Sequence, residues 1–189
     1  RHELKLRKIC YIIGKNSGRS DSIMSNTIVT DMSGAYIEHS EVITNFVAVV
    51  YSQLKNSTCR VYPDNVQYKW VVGTDEKIVI PDASINCRVH AKKGNTFFDI
   101  PRFVMEVLSS STEKYDRTEK MELYRQQEID EYWIVDWRKR QVEIYTLDYD
   151  SEGNPEYYLL NTVTEENKSE LYIVHFPHVK IEFDELFNI

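Results

Sequence analysis

Three polar side chains between residues 81 and 120 stand out from their apolar or helical surroundings. Asp82 follows Pro81 after the apolar segment KIVI, Glu106 lies inside the apolar run FVMEVL, and Lys120 lies on the segment that comes next. Carboxylates are hard oxygen ligands for an ion such as Mg²⁺. A lysine can orient or help to deprotonate a water while it balances the charge of a phosphate. These residue types predict metal-assisted cleavage of a phosphodiester.

Glu106 is the most informative of these residues. A continuous apolar run over residues 103–108, interrupted by one acid, is typical of a strand that is buried on both faces in the middle of a sheet. An ionised carboxylate there must be paired, hydrogen-bonded or metal-bound, because burying it alone is too costly. A structural pairing of Glu106 with Lys120 stays open as an alternative to catalysis.

Asp82 is preferred over a second Pro-Asp pair at residues 63–64. Asp82 lies 24 residues before Glu106, a distance that a hairpin can close, whereas Asp64 lies 42 residues before it. Further along the chain, Asp116, Lys120 and Tyr124 are spaced at i, i+4 and i+8, which places them along one face of a helix. Asp116 and Lys120 could equally form a surface ion pair.

The elements that must position these residues follow from periodicity and turn chemistry. Apolar spacing predicts a long amphipathic helix over residues 37–54 and a second helix, capped by Ser111 or Thr112, that runs to about residue 127. Alternating or apolar runs predict strands at residues 59–62, 65–72, 77–80, 103–108, 132–137, 141–147, 157–163 and 171–176. Residues 138–140 are predicted to turn an antiparallel hairpin, and FDELF to form a short terminal helix. This order predicts a mixed α/β sheet with helices packed on it.

Length and composition suit one folded domain. The 189 residues are 42% hydrophobic and 28% charged, so residues 1–189 are predicted to form a single unit: N-terminal strands or a loop at 1–32, a core at 33–147, and C-terminal strands with a short helix at 148–189. The three cysteines are widely spaced without a CxxC pair, which favours reduced thiols over disulfides or zinc. No apolar stretch is long enough for a membrane span and no signal peptide is recognised, so a cytoplasmic protein is expected.

The net charge of −7 and the isoelectric point near 5.3 weigh against a surface built for tight, non-specific binding of nucleic acid. Local basic clusters occur at residues 88–93 and 138–140. Each cluster alone is more typical of solvated loop charge.

Three runs carry a family resemblance: IPDASINC, FVMEVLSSSTEKYDRTEKMELY and EYWIVDWRKRQVEIYTL. They resemble the Uma-two family of restriction-endonuclease-like proteins, a branch of the PD-(D/E)XK nuclease superfamily, over roughly residues 33–147. The resemblance implies a restriction-endonuclease-like fold, catalytic roles for Asp82, Glu106 and Lys120, and a divalent cation, most often Mg²⁺. His39 matches a histidine that is common in the family, and Glu38 beside it could assist a metal.

The chain departs from the superfamily pattern at two places. The lysine usually found two residues after the strand acid is Leu108 here, and the resemblance implies that Lys120 takes its place from the helix. Glu128 and Ile129 stand where the family generally has Gly-Val. Loss of that glycine disfavours a left-handed cap at the helix C-terminus.

These inferences predict a Mg²⁺- or Mn²⁺-dependent endonuclease that acts on DNA, with the cation held by Asp82, Glu106 and the carbonyl of Val107. Asp116 and Tyr124 are possible accessory residues. The alternative is a catalytically inactive module of nuclease fold that binds DNA or protein. Because two DNA strands need two sites, a homodimer is possible, with the exposed hairpin or Tyr-rich strands as its interface.

Overall fold

Residues 36–189, the part of the chain that this computed structural model describes, form four α-helices, one π turn, one 3-10 helix (Lys168–Glu170) and ten strands. The helical segments are α1 (Ile37–Leu54), α2 (Glu113–Tyr115), which runs through a π turn (Asp116–Lys120) into α3 (Met121–Gln126), and α4 (Phe183–Leu186). The strands are β1 (Arg60–Pro63), β2 (Gln67–Val72), β3 (Asp75–Val79), β4 (Ala83–Asn86), β5 (Lys92–Lys93), β6 (Thr96–Phe97), β7 (Phe103–Val107), β8 (Glu131–Asp136), β9 (Gln141–Tyr149) and β10 (Pro155–Val163). The predicted N-terminal strands or loop at residues 1–32 lie outside the described residues.

A six-stranded mixed sheet forms the centre, in the order β1-β4-β7-β8-β9-β10. Strands β7 and β8 are parallel, and the other neighbours in this sheet are antiparallel. Every residue of β7 is buried, which confirms the predicted central strand. A second sheet, in the order β3-β2-β6-β5, packs beside it. The mixed α/β fold class predicted from the sequence is therefore confirmed.

Two apolar clusters lie on the two faces of the large sheet. On one face α1 packs its buried residues against the sheet, with the Phe46 ring 5.3 Å from Phe103. On the other face the small sheet and the helical segment of residues 113–126 cover the strands, with Trp70 edge-on to Tyr124. Because side chains alternate between faces along a strand, Glu106 projects toward the second cluster while its neighbours Met105 and Val107 join the first.

The two long predicted helices are confirmed, but the second is not regular. Helix α1 has the bounds expected from its apolar spacing. The second helix begins after Thr112, whose side chain makes no capping bond, and contains the π turn. It ends in a left-handed residue, Glu128, with φ 54°.

The hairpin of β8 and β9 and the short terminal helix are also confirmed, whereas the strand predicted at residues 171–176 is wrong. The apolar residues of that segment, Leu171, Ile173 and Phe176, are buried in the first cluster. Its backbone donors at Val174 and His175 bond to a carboxylate of β8. Since these donors are used by a side chain, they form no strand ladder.

The expectation of reduced cysteines is wrong for one pair. Cys59 and Cys87 form a disulfide, because the antiparallel pairing of Arg60 with Asn86 brings together the residue before β1 and the residue after β4. The separation of 28 positions along the chain hides this proximity in the sequence. Reduced cysteines therefore no longer support the expected cytoplasmic location, which stays a prediction.

Within residues 36–189, no helix combines the length and the hydrophobicity needed to cross a bilayer.

Candidate active site

Asp82 and Glu106 lie side by side because of the register of two adjacent strands. Ala83 of β4 pairs with Met105 of β7, so the antiparallel register brings the preceding Asp82 opposite the following Glu106. The Val107 amide donates to Asp82 Oδ2 at 2.7 Å, and the Asp82 amide lies 3.4 Å from Glu106 Oε2. The closure expected from the 24-residue spacing is confirmed.

Glu106 is fully buried, and donors from the helical segment bind both of its carboxylate oxygens. Lys120 Nζ lies 2.8 Å from Oε2, and the Tyr124 hydroxyl donates to Oε1 at 2.6 Å. Burial raises the pKa of Glu106 to about 8, and the positive charge of Lys120 opposes this rise. The acid is therefore held by specific partners, as its position inside an apolar strand requires.

Lys120 lies between two acids. Its Nζ is 2.9 Å from Asp116 Oδ1 as well as 2.8 Å from Glu106 Oε2. The Asp116 side chain is 1% exposed and that of Lys120 14%, so the surface ion pair considered from the sequence is wrong for this helix. Burial alone would lower the pKa of Lys120, but the surrounding carboxylates outweigh it and raise the pKa above its ordinary value. The side chain is an ammonium group at neutral pH.

The π turn explains how one helical segment presents three groups to the same place. In a regular α-helix, residues four apart drift by about 40° around the axis, so Asp116 and Tyr124 would diverge. A π turn has i to i+5 hydrogen bonds and a wider turn, which offsets this drift, and such turns are frequent at functional sites. As a result, Lys120 and Tyr124 both bond to Glu106 while Asp116 bonds to Lys120.

His39 reaches the site from the opposite face of the sheet. Its Nε2 lies 3.3 Å from Asp82 Oδ2. Burial lowers the pKa of His39, whereas Asp82 and the Val107 carbonyl raise it. The raising contributions are larger in sum, so the pKa lies above its ordinary value. Glu38 is half-buried and stands about 100° around the helix from His39. The structure thus brings His39 to Asp82, whereas no hydrogen bond or ion pair joins Glu38 to either acid in the described chain.

The oxygen donors suit a cation that needs few protein ligands. Among residues 36–189, no three His, Cys, Asp or Glu side chains are grouped as a metal site. Mg²⁺ is nevertheless commonly bound by one or two carboxylates, with water at its other positions. Asp82, Glu106 and the Val107 carbonyl are hard oxygen donors, and the Asp82 side chain is 19% exposed. Oxygen donors of this kind suit Mg²⁺ or Mn²⁺, and both oxygens of Glu106 already accept hydrogen bonds from Lys120 and Tyr124.

Two further polar residues near the site were missed from the sequence. Glu143 of β9 is buried and accepts two bonds from Arg117 of the π turn. The signal was present, because Glu143 interrupts the apolar strand sequence QVEIYTL in the same way that Glu106 interrupts FVMEVL.

A mixed sheet with two acids at adjacent strands and a lysine from the following helix defines an α/β protein of nuclease-like fold. The chain belongs to the Uma2 family, described as "Putative restriction endonuclease", whose model matches residues 12–173. It is 28% identical over 115 residues to "Uncharacterized protein slr1290" of Synechocystis sp., an alignment that covers 60% of this chain and 60% of that relative. It therefore spans less than two thirds of the relative's length.

A solved structure shares the fold. It is the crystal structure of "a putative nuclease belonging to DUF820" from Anabaena variabilis, with a TM-score of 0.63, 18% sequence identity and coverage of 82% of both chains. At this identity the likeness concerns the fold, which agrees with the restriction-endonuclease-like architecture expected from the resemblance.

Proposed function

We propose that this protein is a metal-dependent endonuclease that hydrolyses phosphodiester bonds in DNA. The observation that carries the proposal is the contact of buried Glu106 with both Asp82 and Lys120 at the end of two adjacent strands. Membership of a family described as "Putative restriction endonuclease" supports a nucleic acid as the substrate.

The roles of the side chains follow from their contacts. Asp82, Glu106 and the Val107 carbonyl would hold the cation. When bound, Mg²⁺ or Mn²⁺ supplies Lewis-acid polarisation of the phosphate and a more acidic water. Lys120, held as an ammonium group, donates hydrogen bonds and balances negative charge on the phosphate, and it is not the base.

Two supporting residues keep the acids in place. His39 contacts Asp82 through Nε2, and Tyr124 donates to Glu106. Both restrict the rotamers of side chains that must hold a fixed geometry for catalysis.

Because the chain has a net charge of −7, we expect DNA to bind at one of its local basic clusters. The cluster at residues 138–140 is an unfavourable DNA contact, because Arg138, Lys139 and Arg140 are already paired with acids. Arg88, Lys92 and Lys93 are exposed, and we propose this second cluster as the phosphate contact.

A homodimer is part of the proposal, because cutting both strands of a duplex requires two sites. Strand β10 lies at the edge of the large sheet, and Tyr158, Leu159 and Leu160 on it are about half exposed. An exposed apolar edge strand supports a contact with a second copy.

The proposal is tested by cleavage of plasmid DNA with and without Mg²⁺ or Mn²⁺, together with Mn²⁺ titration by calorimetry. The wild-type protein should cut only with the cation, and Glu106→Ala should lower the rate by about a hundredfold or more. Glu122→Ala is the matched control, because it removes an exposed acid from the same helical segment. Cleavage by Glu106→Ala at the wild-type rate would refute the assignment.

The second candidate is a nuclease-fold module that binds DNA or protein without cutting. It is favoured by one observation, that Lys120 and Tyr124 already occupy both oxygens of Glu106. In the same experiment this module would give no heat with Mn²⁺ and no cleavage.

A further inference from the structure

Two buried carboxylates on one face of the large sheet are held by the same π turn. Strands β7 and β9 place Glu106 and Glu143 opposite the same residue of β8, Ile134, so the two acids project from one face about 10 Å apart. Lys120 binds Glu106 at 2.8 Å, and Arg117 binds both oxygens of Glu143 at 2.7 and 2.8 Å. The π turn is thus fixed to the sheet at two points.

The second point is a fully satisfied site. Glu143 is 9% exposed and also accepts from the Tyr145 hydroxyl at 2.9 Å and from Gln141 Nε2 at 3.0 Å. Burial alone would raise the pKa of Glu143, but these donors and Arg117 outweigh it and lower the pKa. The group is an anion two strands away from Glu106, too far to touch a reacting phosphate. Of its donors, only Arg117 comes from outside β9.

The contact with Glu143 bears on the shape of the π turn. If the π turn became regular α-helix, its wider turn would be lost. The residues on one side of it would then rotate about the helix axis by one residue, about 100°, relative to those on the other side. Lys120 lies at the end of the π turn, so this rotation would move its ammonium group away from Glu106. The planar guanidinium of Arg117 binds a carboxylate at two atoms, which fixes orientation as well as distance.

We propose that Arg117 is a positioning residue, which clamps the π turn to Glu143 so that Lys120 meets Glu106. The kinetic part of this inference rests on the proposed nuclease function, and the structural part does not.

The test compares Arg117→Met and Arg117→Lys with Arg125→Met. Arg125 is a close control, because it lies on α3, binds both oxygens of Glu122 and reaches the Pro155 carbonyl, yet stands outside the π turn. Crystal structures of the variants give the helix type and the distance from Lys120 Nζ to Glu106. Plasmid cleavage at several DNA concentrations separates kcat from KM.

We expect Arg117→Met to convert the π turn to α-helix and to separate Lys120 from Glu106. We expect its kcat to fall about tenfold to a hundredfold at unchanged KM, and Arg125→Met to change neither. If Arg117→Met does not fold, Arg117→Lys, which keeps the charge without the two-atom contact, gives the same readouts.

The crystal structures of the variants test the role of Arg117 independently of nuclease activity. An Arg117 variant that keeps the π turn and the bond from Lys120 to Glu106 would overturn the inference, and so would a kcat equal to that of Arg125→Met. If the wild-type protein does not cut DNA, the proposed function fails, while the crystal structures still decide the role of Arg117.

Discussion

Glu106 is a buried acid with a partner at each oxygen, and burial still raises its pKa to about 8. One oxygen accepts from Lys120 and the other from Tyr124, so the strand carries a carboxylate without an unsatisfied atom. Removing one partner of such a buried pair strongly destabilises a protein, because the remaining charge then has no opposite charge beside it. The interaction between Glu106 and Lys120 can therefore be measured from the free energy of unfolding, separately from any catalytic role.

We predict strong coupling in a double-mutant cycle of Glu106→Gln and Lys120→Met. Each single variant should lose roughly 3 kcal/mol of unfolding free energy, and the double variant less than the sum, with a coupling of about 1–3 kcal/mol. Urea unfolding of the four proteins gives these values.

The control is the more exposed pair Lys69 and Glu76, whose Nζ and Oε1 atoms are also 2.8 Å apart. Its coupling should be below about 1 kcal/mol, because solvent screens exposed ion pairs. Equal coupling in the two pairs would contradict the proposed dependence on burial.

At the scale of single residues, the acids were more predictable than the lysine contact. Glu106 was recognised because a charge inside an apolar strand must have a partner, and Asp82 because a hairpin could bring it alongside. The contact of Lys120 depends on a π turn, for which the sequence has no known local signal. Glu143 carried the same signal as Glu106 and was overlooked.

The elements show one clear conflict between sequence and backbone, at the end of α3. Ile129 N–H donates to the Tyr124 carbonyl and Glu128 N–H to the Arg125 carbonyl, which is the Schellman arrangement of a helix C-terminus. It requires a left-handed residue, and that residue is Glu128, with φ 54°. The cap forms although the glycine favoured at this position is missing.

We predict that Glu128→Gly stabilises the protein by about 0.5–1 kcal/mol, because glycine adopts a positive φ without steric cost. The change removes only an exposed bond from Tyr149. The measurement is the urea midpoint at constant slope.

Arg140 provides the matched control, since it too has a positive φ, 49°. Its guanidinium bonds to Glu165 and to the Phe187 carbonyl, so Arg140→Gly should destabilise. A loss of stability in Glu128→Gly as well would show that backbone strain is not the dominant effect at this cap.

Periodicity predicted most elements because their apolar residues face one core. The same reasoning failed at residues 171–176, where Leu171, Ile173 and Phe176 are buried without strand pairing. An alternating pattern reports which side chains are buried, but it does not report which partner takes the backbone hydrogen bonds. The disulfide of Cys59 and Cys87 was missed because it depends on the register of β1 and β4.

Across the whole molecule, Glu131 joins the C-terminal segment to the central sheet. This fully buried acid of β8 accepts from Trp133 Nε1 at 2.7 Å, from the Val174 amide at 3.1 Å, and from the amide and ring Nδ1 of His175 at 2.9 and 3.2 Å. The segment that it holds buries Ile173 in the cluster beneath α1. This carboxylate helps to close that face of the sheet, together with the bonds of Gln53 to the Lys180 backbone.

We predict that Glu131→Gln destabilises the protein by roughly 2–4 kcal/mol, because an amide offers one acceptor oxygen and leaves buried donors unpaired. Hydrogen exchange at the amides of Val174 and His175 should accelerate more than exchange in β7. Asp130→Asn is the control, since the neighbouring Asp130 forms a half-exposed pair with Arg102, and it should cost less than about 1 kcal/mol. Unchanged exchange at Val174 and His175 would mean that apolar packing and the remaining polar contacts, such as those of Gln53 with Lys180, hold the C-terminal segment without Glu131.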